Sequence, residues 1–227
     1  PDSHLIYVDF SGGHLDLGGS SFAQINASIG THTPDVDAKT LSNAFMGIQK
    51  LISEGLILSG HDISAGGLIT TLLEMNFPNS SGGMSIDLSP FEEKDPVKIL
   101  FSEKPAVIIQ VKDLERVNKV LDSLKISYHP IGHPIAERKL KINGKSIDLD
   151  LAIDELRDIW FETSHQFDRL QSDPDHADQR AVNYKKQPLK YETQNSFSGT
   201  FVSYGIDPNR KERSGIKAAI IREKGVN

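Results

Sequence analysis

A strand–turn–helix unit at residues 56–75 constrains this chain more than any other stretch. The apolar run Leu56-Ile57-Leu58 ends at His61-Asp62-Ile63-Ser64-Ala65-Gly66-Gly67, and the chain then enters the helical pattern of Leu68, Ile69, Leu72, Leu73 and Met75. A strand that stops at an acid and a hydroxyl, then turns through two glycines into a helix, fits an α/β sheet, where ligands gather at the carboxyl ends of strands. The start of a helix offers unpaired N–H groups and the positive end of the macrodipole, and Gly66 and Gly67 let an anion approach the backbone closely. Asp62 is then a candidate ligand for Mg²⁺, a hard cation that prefers carboxylate and phosphate oxygens. The local pattern leaves a second reading open, in which Asp62 or Ser64 is a helix N-cap and the glycines are turn residues.

Charge and composition remove several classes of function. A formal net charge of −6 with a pI near 5.7 argues against a nucleic-acid binder, which needs clustered Lys and Arg to displace counterions. The absence of cysteine removes disulfides, thiolate metal sites and thiol nucleophiles, and it fits a reducing compartment such as the cytoplasm. No apolar run approaches the roughly 20 residues of a spanning helix, and no signal-like region opens the chain. The chain begins at Pro1-Asp2-Ser3-His4 and closes on an apolar run, and is read as a piece of something longer.

Taken in order, Leu5 to Phe10 reads as a strand, and Ser11-Gly12-Gly13 turns it. Gly18-Gly19-Ser20 is a second glycine pair followed by a hydroxyl. It offers either a phosphate-wrapping turn or a tight turn that caps a helix beginning near Phe22. Pro34 to Asp37 starts a helix whose Leu41, Phe45, Ile48, Leu51 and Ile52 share one face and whose C′ residue is Gly55, a pattern of core packing. Leu56 to Ser59 reads as a short buried strand. Met84 to Leu88 and Ala106 to Val111 read as strands, Pro96 to Phe101 as a short helix, and Glu103 as a loop acid that either faces a nucleotide or is solvated. Asp113 caps a helix. His129 and His133 have the spacing of a helical metal pair, but Pro130 and Gly132 oppose a helix there. Leu140 to Leu151 reads as a hairpin with Asn143-Gly144 at its tip. Ile153 to Leu170 is a helix carrying Leu156, Ile159, Trp160, Phe167 and Leu170, a stripe expected to dock on the sheet or a neighbouring domain. Ser172 to Ser214 reads as an extended, aromatic-bearing surface linker, and Ile216 to Ile221 as the first strand of a further domain.

Several of these stretches together resemble a known family. Leu17-Gly18-Gly19-Ser20, Pro34-Asp35-Val36-Asp37, His61 to Leu68 with Glu74-Met75, Leu156 to Ser164 and Arg169 to Pro174 are similar to the second half of the large form of phosphoribosylformylglycinamidine synthase. Lys217 to Asn227 resembles the opening strand of its glutaminase domain.

The resemblance implies an α/β (α+β) fold, a mixed sheet flanked by helices, over residues 1–152, in the manner of the C-terminal domain of aminoimidazole ribonucleotide synthetase. It implies a helix and surface linker over 153–215 and a truncated glutaminase strand over 216–227. It further implies a ligase of purine synthesis that uses ATP and glutamine to convert formylglycinamide ribonucleotide into formylglycinamidine ribonucleotide. ATP would activate the amide oxygen as a phosphate ester, which ammonia then displaces.

By the same resemblance Asp62 is a Mg²⁺ ligand and Ser64 contacts the nucleotide, ATP or ADP. Gly66, Gly67, Gly18, Gly19 and Ser20 are the accompanying nucleotide-binding candidates, and no catalytic residue is assigned. Many members have Arg and Asp where this chain has Ile63 and Ala65, so any contact from those side chains is missing. The remaining Mg²⁺ ligands belong to a partner barrel domain and the glutaminase cysteine to a later domain, so the piece alone is expected to be silent. Its partners are those two domains, and the face they cover is expected to be apolar enough to pair two copies. The alternatives left standing are a non-turnover, nucleotide-holding half of the same enzyme and another ATP-dependent member of the superfamily.

Overall fold

A computed structural model describes residues 2–12, 14–183, 205, 207 and 209–212. The chain divides into two units, Pro1–Leu189 and Lys190–Asn227, and the architecture below is that of the first. The expected strand at 216–221 lies outside the described residues.

The order of elements is β1 (His4–Asp9), α1 (Ser21–Ile25), α2 (Ala38–Ser53), β2 (Ile57–Asp62), α3 (Gly67–Asn76), β3 (Gly83–Asp87), α4 (Pro96–Phe101), β4 (Ala106–Val111), α5 (Leu114–Ser123), β5 (Tyr128–Ile135), β6 (Lys139–Gly144), β7 (Ile147–Ala152), α6 (Ile153–Gln171) and α7 (Pro174–Asn183). The strands form one seven-stranded sheet in the order β2-β4-β1-β5-β3-β6-β7. Only β3 and β6 run parallel; the other neighbours are antiparallel. The sheet is therefore mixed, as the sequence led us to expect.

Period-two alternation explains why β1 is central. Leu5 and Tyr7 enter one apolar cluster, with Leu68 and Leu72 of α3, Ile99 and Leu100 of α4, and Ile108 of β4. Ile6 and Val8 enter the other, with Ala44, Ile48 and Leu51 of α2 and Val117 and Leu121 of α5. Helices thus cover both faces of the sheet. Each fully buried Leu or Ile contributes about 1.5–3 kcal/mol over its exposed state, so a strand buried on both faces is held firmly. At the carboxyl end of β1, Asp9 is buried. Its Oδ1 accepts from the Ser11 amide, the Ser11 hydroxyl and the Gly12 amide, and its Oδ2 receives the buried Lys104 ammonium at 2.8 Å.

The structure departs from the sequence reading at five places. β2 is an edge strand paired with β4 alone, so it is exposed rather than buried, with Leu58 57% exposed. It also runs on through His61 to Asp62. On α2, Ile48 and Leu51 are buried but Phe45 and Ile52 are each 54% exposed, so only part of the apolar stripe meets the core. The hairpin tip is Lys145-Ser146, since Gly144 pairs with Ile147 in the last rung and the Asn143 carbonyl accepts from the Leu88 amide. Of the two expectations for the α6 stripe, docking on the sheet is not met, since Ile159, Phe167 and Leu170 are exposed while Ile153 and Arg157 are buried; docking on a neighbouring domain is left open. Finally, part of the expected linker is α7. Proline stands at its start, the Asp173 carboxylate accepts the Asp175 and His176 amides, and Arg169–Asp178 and Arg180–Asp168 ion pairs clasp it to α6.

Candidate functional site

β2 delivers Asp62 to one edge of the sheet. Asp62 stands opposite Val107, the Ile63 amide donates to the Ala106 carbonyl, and Ser64 follows in the turn. Both Asp62 and Ser64 are exposed, and the Asp62 side chain retains 73% of its accessible surface. Neither caps α3. The N-cap is Gly66, in the left-handed conformation at φ 89°, with no side-chain cap. The open choice between capping and exposed acid is thereby decided by geometry: the carboxylate and hydroxyl are not spent on the helix start.

Gly67 has a packing reason as well. A Cβ there would lie 2.7 Å from the Leu100 carbonyl oxygen, and its φ of 72° disfavours any side chain. The glycines thus bring the first turn of α3 against the end of α4, independently of any ligand.

His61 lies beside Asp62, its Nδ1 3.5 Å from the Asp62 Oδ1. Its Nδ1 lies 2.8 Å from the Asp62 carbonyl oxygen, which can only accept, so Nδ1 carries the proton. Its Nε2 faces Glu74 Oε2 at 3.5 Å, and Glu74 Oε1 accepts from Trp160 Nε1 at 3.1 Å. Trp160 packs on Phe77 with ring centroids 5.1 Å apart. His61 therefore ties β2, α3 and α6 together. The Asp62 carbonyl also accepts from the Thr71 hydroxyl, which holds the end of β2 against α3.

The second glycine motif stands beside the first. Gly18, Gly19 and Ser20 form the turn before α1. The Gly18 amide donates to His32, the Gly19 amide to Ile29 and the Ser20 amide to Leu17. Ser20 is buried; its hydroxyl donates to the Leu17 carbonyl and accepts from the Ala23 amide as the N-cap of α1. In this conformation the turn presents a folded cap, with its three amides already engaged.

Glu103 joins the two motifs, and the sequence did not decide its role. One carboxylate oxygen, Oε1, accepts from the Ser21 amide at 2.8 Å and from the Gly66 amide at 2.9 Å. Ser102 and Phe101 complete the junction: the Ser102 hydroxyl donates to the Asp16 carbonyl, and the Phe101 ring lies 4.7 Å from that of Phe22. Burial works to raise the pKa of the Glu103 carboxyl, but the Gly66 and Ser21 hydrogen bonds outweigh it and hold it below the ordinary Glu range. An internal carboxylate thus occupies the position that an anion would take between two helix starts. Only the pairing of β4 with β2, which places residue 103 beside residue 66, reveals this.

The donor set suits a hard cation only in part. Asp62 is an exposed oxygen ligand, but among the described residues no group of three or more His, Cys, Asp or Glu could hold a metal ion. His129 and His133 lie on β5 and form no such group. Among the described residues, then, Asp62 belongs to no set of three candidate ligands. Among the described residues no helix is long and apolar enough to cross a membrane.

Comparison with known proteins accords with this fold. Residues 5–145 match the family model described as AIR synthase related protein, C-terminal domain. The chain is 35% identical to phosphoribosylformylglycinamidine synthase of Homo sapiens, over 99% of this chain and 17% of that protein. It is 33% identical to the probable phosphoribosylformylglycinamidine synthase, chloroplastic/mitochondrial, of Arabidopsis thaliana, over 100% of this chain and 16% of that one. The chain thus spans about a sixth of the length of these curated relatives. Among solved structures it is similar to T. maritima PurL complexed with ATP, with TM-score 0.54 and 16% identity over 69% of this chain and 26% of that one. T. maritima PurL complexed with FGAR gives TM-score 0.55 at the same identity, over 69% of this chain and 28% of that one. At such identity the structural likeness speaks for the fold alone.

Proposed function

The chain belongs to the AIR synthase related family, whose C-terminal domain it carries, and from that premise we propose that it is the second such domain of a large-form phosphoribosylformylglycinamidine synthase. The parent enzyme would convert formylglycinamide ribonucleotide, glutamine and ATP into formylglycinamidine ribonucleotide, glutamate, ADP and phosphate, a ligase step of purine biosynthesis in the cytoplasm. Identity of about a third to curated synthases, over the whole chain, supports the parentage.

The observation that carries the site is the exposed, uncapped Asp62–Ser64 edge at the start of α3. In this reading Asp62 supplies one carboxylate oxygen to Mg²⁺ and the Ser64 hydroxyl meets the nucleotide's phosphates, while Gly66 and Gly67, whose amides are held by Glu103 and the Ser64 carbonyl, leave the turn bare enough for the phosphates to approach. Bound Mg²⁺ would neutralise phosphate charge. The engaged amides of Gly18, Gly19 and Ser20 assign that turn a supporting part, placing α1 against Glu103. A barrel domain of the parent chain would complete the metal shell, and a glutaminase domain would supply ammonia. Exposed Phe45, Met46, Ile52 and Leu58, near the β2 edge, are the apolar side chains that another domain, or a second copy, would cover.

A second reading has its own support. His61 is tied to Glu74 and to the Asp62 carbonyl, so it does not stand ready as an acid or base beside Ser64. That favours a half that holds a nucleotide without turning it over. Asp62→Ala in the full-length enzyme separates the two, with amidine formation and retained nucleotide measured on the same sample. Turnover lost and added Mg-ATP bound weakly, with the co-purifying nucleotide and Tm unchanged, marks a turnover site. Loss of nucleotide with a fall in Tm marks a holding site. Full turnover with full nucleotide content overturns both.

A further inference from the structure

Across β4 from Asp62, at the carboxyl end of β1, lies an open concavity of about 530 Å³ whose lining includes Tyr7, Asp9, Phe91, Lys104 and His129. Tyr7 and His129 are direct cross-strand partners on β1 and β5, with ring centroids 6.3 Å apart. Phe91 packs edge-on to Tyr7 at 5.1 Å and tilted against His129 at 4.9 Å. Tyr7 is 96% buried by its 4% residual exposure, yet neither its hydroxyl nor either His129 ring nitrogen has a hydrogen-bond partner among the described residues. Among the described residues the fully buried side-chain atoms without a partner are Asn118 Oδ1 and Arg138 Nη2, so the Tyr7 hydroxyl opens onto the concavity, where a ligand can meet it. At the floor the buried Lys104 ammonium sits on the buried Asp9 carboxylate, and the rim carries Lys94 beside the acids Glu92 and Glu93.

We propose that this concavity is a binding site, separate from the Asp62 edge, for an uncharged planar heterocycle that offers a hydrogen-bond donor beside an acceptor, as the edge of a nucleobase does. Burial, with the Asp9 charge adding to it, raises the Tyr7 pKa, so its hydroxyl stays protonated and donates. Burial lowers the His129 pKa, with Lys104 acting the same way and Asp9 and Glu92 opposing, so the ring is neutral at pH 7, with one donor and one acceptor nitrogen. A phosphate or carboxylate finds no uncompensated cation at the floor. A planar ring finds aromatic walls in Phe91 and His129, where stacking adds to the polar contacts.

The test follows the His129 imidazole C–H resonances of the 227-residue chain, assigned by their loss in His129→Gln, during titration with inosine, uridine, ribose and inorganic phosphate. Inosine and uridine should give saturable shifts, whereas ribose and phosphate should give none. Tyr7→Phe keeps the ring and removes only the hydroxyl, and should weaken nucleoside binding about fivefold to tenfold, the ordinary worth of one uncharged hydrogen bond. No saturable shift with either nucleoside, an equal response to ribose or phosphate, or unchanged binding in a folded Tyr7→Phe protein would each overturn the proposal.

Discussion

Removing the Glu103 carboxylate tests the junction that holds the two glycine motifs together. One oxygen accepts two backbone N–H bonds, from Ser21 and Gly66, and both are shorter than 3.0 Å. Bonds to a charged acceptor are worth about 1.5–3 kcal/mol each when buried, and less where water can replace the lost partner. Glu103 is half-buried. We therefore expect Glu103→Ala to cost about 2–3 kcal/mol and Glu103→Gln, which keeps a neutral acceptor, about 1 kcal/mol. In a chain of this size 1 kcal/mol lowers Tm by about 2–4 °C, so Glu103→Ala should lose roughly 4–12 °C.

The pH dependence adds a sharper signature. The folded-state pKa lies below the unfolded one, so the stabilisation is complete above the ordinary Glu pKa of about 4.3 and is lost as pH falls through the lowered value. Wild type and Glu103→Gln, compared by urea unfolding from pH 7 to pH 3, should differ most at pH 7 and converge at the acid end. Equal stability at pH 7, or a difference that persists undiminished at pH 3, would refute the assigned role.

Other substitutions probe the supports of the site. Lys104→Met strands the buried Asp9 carboxylate, and breaking such a pair costs about 3–5 kcal/mol; denaturant unfolding that shows a loss below about 1 kcal/mol would contradict the pairing. Gly67→Ala combines a left-handed backbone with a Cβ 2.7 Å from the Leu100 carbonyl, so a loss of about 2–4 kcal/mol is expected by thermal unfolding. A neutral effect would mean that the end of α4 yields easily. Multi-angle light scattering should show the isolated chain self-associating with concentration, through the exposed Phe45, Met46, Ile52 and Leu58. A strict monomer at all concentrations would contradict a strong self-contact.

Elements whose cause is local were legible in the sequence. β1 shows its β-branched and aromatic run, α5 its Asp113 cap, and α2 its Asp37 cap and Gly55 end, while Pro130 and Gly132 excluded a helix between the two histidines. The Asp62–Ser64 turn was legible for the same reason. What depends on strand order was not. The exposure of β2 follows from its standing at the sheet edge, which no local pattern states. Glu103 becomes informative only once β4 lies beside β2. The hairpin tip slipped by two residues because cross-strand pairs such as Leu140 with Leu151 and Ile142 with Leu149 set the register, overriding the turn preference of Asn143-Gly144. His61, silent in the sequence, acquires its role only through Glu74 and Trp160.

The central claim is that Asp62 forms one wall of a Mg²⁺-nucleotide site that other domains complete. Isothermal titration of Mg-ATP tests it most directly, with the 227-residue chain, the full-length enzyme and full-length Asp62→Ala measured side by side. The account predicts no binding of micromolar strength by the chain alone, clear binding by the full-length enzyme cleared of nucleotide, and a large loss of that binding in Asp62→Ala. Tight binding by the isolated chain, or unchanged affinity in Asp62→Ala, would contradict it.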